Sequence, residues 1–149
     1  MTFKVSTGLR NHMLGAGSLK SALDGGKINI YGGLVPASGD DSVVALNSPL
    51  LCTVTNNSGV TGITLDAAPA NGVIVKTSTE TWSGVNLASG VPTFYRHVSA
   101  TDTNNSSITD KRVQGAIAQL GQEFDISSPS LVAGATQTVD YYSIQLPSA

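Results

Sequence analysis

The order of apolar and polar positions changes character near residue 26. Before it, apolar residues recur at helical spacing: Leu9 and Met13 stand four apart, and Ser6 or Thr7 is placed to cap the turn they occupy. Gly15-Ala16-Gly17 interrupts the pattern, Ser18 restarts it ahead of Leu19, Ala22 and Leu23, and Asp24-Gly25-Gly26 ends it. Two short helical turns are expected. Neither is long enough to persist alone, so their apolar edge must dock, either on the rest of the chain or on a neighbouring subunit.

From Lys27 onward the spacing shortens to alternating or continuous apolar runs cut by Gly, Asn and Pro. "KINIY", "LLCTVT", "GITLD", "VIVKTS", "TETWSGVN", "TFYRHVS", "RVQGAIA", "EFDISS" and "TQTVDYYSIQL" read as about nine strands, rich in β-branched residues and separated by turn residues. Nothing after residue 26 is long and amphipathic enough to be a crossover helix, which excludes a parallel βαβ arrangement. The expected fold is mainly β: an antiparallel β-sandwich, jelly-roll-like, with a short helical N-terminal segment. Residues 1–26 form the helical or arm segment and 27–149 the sandwich domain. The polar stretch 100–110, "ATDTNNSSITD", reads as an exposed tip or a contact loop.

Composition narrows the function classes. At 149 residues the chain has the size of one domain. Only 12% of its residues are charged, against about 25% in an ordinary soluble domain. Ser, Thr, Asn and Gly therefore supply the surface, which suits a protein packed against copies of itself or a partner. With 8 basic and 10 acidic residues, and no basic cluster denser than Lys111-Arg112, there is no electrostatic footprint for nucleic acid. No apolar run of signal-peptide or membrane-spanning kind is present at "MTFKVSTGLRNH", so folding in a reducing cytoplasm is expected. The single cysteine, Cys52, lies in the apolar run "LLCTV" and reads as a buried inert thiol. The sequons at Asn56, Asn104 and Asn105 then follow from an Asn/Ser-rich composition alone.

The stretch "PTFYRHV", residues 92–98, is where a tyrosine, an arginine and a histidine stand together. On a strand, Phe94, Arg96 and Val98 face one way and Thr93, Tyr95 and His97 the other. Arg96 and His97 therefore diverge, whereas acid–base chemistry needs groups that converge on one atom. The expected roles are structural: Arg96 paired with Glu80 or Asp140, and His97 half-exposed or at an interface. Asp40-Asp41 lacks the further oxygen ligands of a calcium loop. Two histidines and one cysteine make a poor zinc set. "GGLVPASG" and "GAGS" lack the strand and full helix that flank a phosphate loop. No catalytic, cofactor-binding or metal-binding residue is assigned, and an enzyme is not expected. Trp82, the sole tryptophan, reads as a core or interface anchor. The candidate partner interface takes Leu9, Arg10, Met13 and Leu14 from the helical segment and Trp82, Tyr95 and His97 from the strands.

The ordered series "STGLRN", "GSLKSALDGG", "INIYGGLVP", "ETWSG", "TFYRHV", "RVQGAI" and "AGATQTVDYYSIQLP", from about Ser6 to Pro147, resembles a family of small virion proteins of tailed bacteriophages. The resemblance implies a non-enzymatic structural component. Within that class it is similar to jelly-roll capsid cement, or decoration, proteins that bind the outside of the phage head and stabilise it. The implied partners are the major capsid protein or another virion protein and further copies of the chain, with no direct nucleic acid and no membrane. The implied location is the virion, assembled in the host cytoplasm. A tail, neck or baseplate component is the alternative. A carbohydrate- or receptor-binding module is disfavoured by one tryptophan and 5% aromatic residues.

Overall fold

The structure is a computed structural model that describes residues 3–117, 124–126 and 128–147. Its first strand, β1 (Lys4–Val5), leads into α1 (Thr7–Gly15). Ser6 caps that helix, its Oγ accepting the Leu9 N–H at 3.2 Å. Ser18 opens α2 (Leu19–Leu23) with a reciprocal capping box to Ser21. Both caps fall where the sequence places them. The strands that follow are β2 (Lys27–Tyr31), β3 (Leu50–Asn56), β4 (Val73–Val75), β5 (Trp82–Val85), β6 (Phe94–Val98), β7 (Arg112–Ala116), β8 (Phe124–Ile126) and β9 (Thr136–Gln145). The outer positions Ala118, Glu123 and Ser127 of two expected strands lie outside the described residues.

These strands form one antiparallel sheet in the order β1-β7-β6-β2-β3-β5-β9-β4, with β8 also on β9. The long β9 serves three partners in turn: β5 at Thr136–Thr138, β8 at Val139–Tyr142 and β4 at Ser143–Gln145. The sheet curls into a half-barrel. Although β6 and β9 stand four places apart in strand order, Tyr142 of β9 packs edge-on against Tyr95 at 5.8 Å and against His97 at 5.4 Å. Inside the curl, Tyr95 stacks on Phe124 at 4.6 Å and Trp82 tilts against Tyr142 at 5.4 Å. Ile28, Ile30, Cys52, Val54 and Val113 complete this apolar face.

The helical turns dock on the chain's own sheet. Phe3, Leu9, Leu19, Ala22 and Leu23 belong to the same buried cluster as the strands, so the described part of 1–26 shares its core with 27–149. Close approach is possible because residue 8 is glycine: a Cβ there would lie 2.3 Å from the Thr109 carbonyl oxygen.

Two expectations for strands are corrected. "GITLD" makes only single bridges, Gly26 to Ile63 and Leu65 to Lys76. Carboxylates take the place of a neighbouring strand: Glu80 accepts the Thr64 N–H at 2.9 Å and Asp24 the Leu65 N–H at 2.9 Å. Conversely, β1 pairs Lys4 with Gln114 and Val5 with Val113, yet two residues are too few to show a period.

Candidate functional site

The alternation read from "FYRHV" holds in the structure, and each face has its own chemistry. Tyr95 and His97 enter the apolar interior. Phe94 stacks on Tyr31 at 5.0 Å on the other face, where Arg96 is joined by Gln114 and Arg112 of β7. That second face is covered by the long loops between β2 and β3 and between β6 and β7, and two buried arginines hold them down.

Arg96 donates from Nε to Gln114 Oε1 at 2.8 Å, from one terminal nitrogen to the Asp41 carbonyl at 2.7 Å, and from the other to the Ser38 carbonyl at 3.1 Å. Gln114 donates in turn to the Pro36 carbonyl at 2.8 Å. Arg112 donates to Asp102 at 2.5 Å and Asp110 at 2.8 Å, and to the carbonyls of Gly39 at 3.1 Å and Asn105 at 2.7 Å. The two cations work as a clamp. Each uses its planar fork to hold backbone carbonyls of the covering loops. Burial first, and the Arg112 charge second, bring the Arg96 pKa down to about 10, so Arg96 remains charged at neutral pH. The network also reaches the first helix, since Ser6 Oγ donates to the Asp110 carbonyl at 2.7 Å and accepts the Arg112 N–H at 2.9 Å.

This network corrects the expected partners of Arg96. Glu80 instead accepts from Thr64 and from Trp82 Nε1, the latter at 2.9 Å. Burial works to raise the Glu80 pKa, but these hydrogen bonds outweigh it and hold the group below its ordinary value. Asp140 is exposed and accepts from Thr138. The loop 100–110 is also more than an exposed tip: Asp102 is wholly enclosed in its pair with Arg112.

The seven candidate interface residues divide into two groups. Leu9, Trp82, Tyr95 and His97 are buried in the chain's own core and present nothing to a partner. His97, 1% exposed, is corrected from half-exposed to interior. Its Nδ1 shares a 3.0 Å hydrogen bond with the Tyr142 hydroxyl. Its Nε2 makes no hydrogen bond of good geometry, although the Leu23 backbone is near enough to favour the charged form slightly. Burial dominates and lowers the pKa to about 3, so the ring is neutral at physiological pH. Arg10 and Leu14 are exposed and Met13 half-buried along α1, and these alone of the set are accessible. Cys52 is enclosed and its thiol pushed up to about 11 by burial.

Among the described residues no three His, Cys, Asp or Glu side chains gather as a metal site would require, and no helix is long and apolar enough to cross a membrane. No protein-family profile matches the chain, and no curated protein or solved structure matches it. Sequence reasoning passed over Arg112, Gln114 and Asp102. "RVQGA" carries the needed signal: Arg112 and Gln114 alternate with Val113 and Gly115 as Arg96 alternates with Tyr95 and His97, which puts three polar side chains on one face of adjacent strands.

Proposed function

We propose that the protein is a structural virion component that acts by binding, as a capsid cement protein on the outside of a phage head. The observation that carries this reading is the arginine clamp. Long polar loops are normally mobile, but here two enclosed cations tie residues 36–41 and 102–110 to the sheet. A surface fixed before contact loses less entropy on binding, which is what a protein without chemistry to perform needs. The sequence series resembling phage virion proteins and the low charge support the same reading. The mainly β fold suits a rigid binding protein, and in this reading Arg10, Met13 and Leu14 are free to meet the capsid protein.

Cement works by linkage. A ligand that binds only the assembled shell stabilises that shell by mass action, and contacts to several capsomers add through effective concentration. Purified protein added to heads lacking it should bind in saturable numbers, ignore isolated capsid subunits, and raise the temperature at which DNA escapes. Binding to tails, with heads equally heat-stable with and without the protein, would move the assignment to the tail, neck or baseplate class.

A further inference from the structure

The direction of each strand places three described connections at one end of the half-barrel: residues 32–49, 86–93 and 128–135. The sequence carries no Asp, Glu, Lys or Arg between Lys27 and Asp40, between Asp41 and Asp66, between Glu80 and Arg96, or between Asp125 and Asp140. Apart from the exposed Lys4 of β1, whose Nζ donates to the Ala37 carbonyl at 2.8 Å, this end is without formal charge in its described loops except at Asp40 and Asp41. Both of these are engaged within the chain: Asp40 accepts from Thr7, and Asp41 accepts the Ser38 N–H.

Apolar side chains stand out of this end. Leu34 is 68% exposed, Val91 66%, Leu87 63% and Val132 61%, with Val35 beside Leu34. A hollow of about 450 Å³ opens here, its wall apolar at Leu34, Val35, Ala45 and Leu46 and polar at Asp41 and at Ser106 of the neighbouring loop. Val44, 64% exposed, stands in the same connection as Leu34, whereas Leu14, Val60 and Ile108 lie on separate elements, as isolated apolar residues on ordinary surfaces do.

The loops are also stitched to one another through their backbones. The Gly90 and Leu131 N–H groups donate to each other's carbonyls at 3.0 and 2.8 Å, and the Asn86 side chain donates to the Val132 carbonyl at 3.0 Å. The Thr93 hydroxyl donates to Gly33 O at 2.9 Å, and Ser48 donates to Leu34 O at 2.7 Å. The apolar side chains thus stand on a fixed platform.

We propose that this end is the surface through which copies of the chain associate with one another. A second copy is the occupant because a face with so few charges, Lys4 at its edge and Asp41 in its hollow, can meet itself across a symmetry axis with little like-charge repulsion, whereas a partner recognised by a dense patch of charge finds none here. The size agrees. A stable interface takes roughly 20–30 residues a side, which the loops 32–39, 42–49, 86–93 and 128–135 supply. The inference deepens the proposed function by naming its oligomer contact, on a surface remote in sequence from the α1 residues left for the capsid.

Sedimentation of the full chain at increasing concentration tests it. The wild type should associate at about 100 µM, where a contact with Kd near 10 µM is mostly formed, and association should be little affected by salt. Val91→Asp and Leu34→Asp, on separate loops and both at exposed positions, should each weaken association at least about 100-fold while leaving the thermal transition in place, because each places like charges opposite one another. Val60→Asp, at the far end, should change nothing. A wild type that is monomeric at about 100 µM overturns the proposal, as does equal weakening by Val60→Asp or none by the two loop variants. Head binding by a monomeric wild type would give this surface to another protein and leave the cement reading standing. Self-association without head or tail binding would do the reverse.

Discussion

Replacing Arg112 by Ala should be among the most damaging single changes in the protein. The side chain is fully enclosed and donates to two carboxylates and two carbonyls. Without it, Asp102 is left as a buried carboxylate that keeps the Asn104 N–H on its other oxygen, and the carbonyls of Gly39 and Asn105 lose these donors. Breaking a buried ion pair from one side costs about 3–5 kcal/mol. One effect opposes this: Arg112 repels Arg96 and helps lower its pKa to about 10, so removing one cation relieves the other. The expectation is therefore near the lower end, about 3 kcal/mol, out of a total that for such domains is about 5–15 kcal/mol. In urea, followed through the buried Trp82, the midpoint should fall with an unchanged slope, and Tm should drop by roughly 6–12 °C. Asp102→Ala combined with Arg112→Ala should be less damaging than the two losses added, because the orphaned charge is gone; a coupling of about 0.5–3 kcal/mol is expected. A loss below about 1 kcal/mol for Arg112→Ala, with simple additivity in the double variant, would refute the clamp.

Two further outcomes follow from the buried side chains. His97 has a pKa of about 3 in the fold, chiefly through burial, against 6.5 ordinarily. Between those values the unfolded chain binds a proton that the native state does not, so stability should fall as pH drops below about 6.5, by up to about 1.4 kcal/mol per pH unit. Glu80, whose pKa is also lowered in the fold, adds a loss in the same direction at lower pH. His97→Gln should flatten the dependence between about pH 6.5 and 5; an unchanged slope in urea titrations would mean that His97 is not the group responsible. Deleting residues 1–17 removes the buried Phe3 and Leu9 and the Ser6 hydroxyl that serves Leu9, Asp110 and Arg112, a loss of more than about 5 kcal/mol by the usual values for core truncation. The shortened chain should show no cooperative melting transition, and a transition within a few degrees of the wild type would contradict the shared core.

Local chemistry was legible in the sequence where it is set by neighbours along the chain. Helix caps at Ser6 and Ser18 and the strand around "FYRHV" follow from residues only a few positions away. What one residue meets across the fold was not. Arg96 finds its acceptors at Ser38, Asp41 and Gln114, brought together by loops whose paths no period encodes. His97 looked amphipathic because strand alternation tells which face a residue takes and not what covers that face. The curl of the sheet, which lays Tyr142 over His97, depends on accumulated twist and on the reach of β9. "GITLD" failed for a related reason: its apolar alternation suits a strand, but Glu80 and Asp24 take the central amides of Thr64 and Leu65, leaving only those of Ile63 and Asp66 to meet backbone carbonyls.

The triple use of β9 sets an order of events during synthesis. It pairs with β5, β8 and β4, all of which leave the ribosome before it does. Until it arrives, Trp82, Phe124 and Tyr95 lack the Tyr142 ring that packs among them, and the apolar face stands open. Such dependence on contacts distant in sequence slows folding and exposes the nascent chain to aggregation. It also delays the loop end of the half-barrel, because the Asn86 N–H and carbonyl are met by Ala135 and Gly134, immediately before β9. A chain interrupted in translation would lack its completed core and, on the association proposed above, its means of joining others.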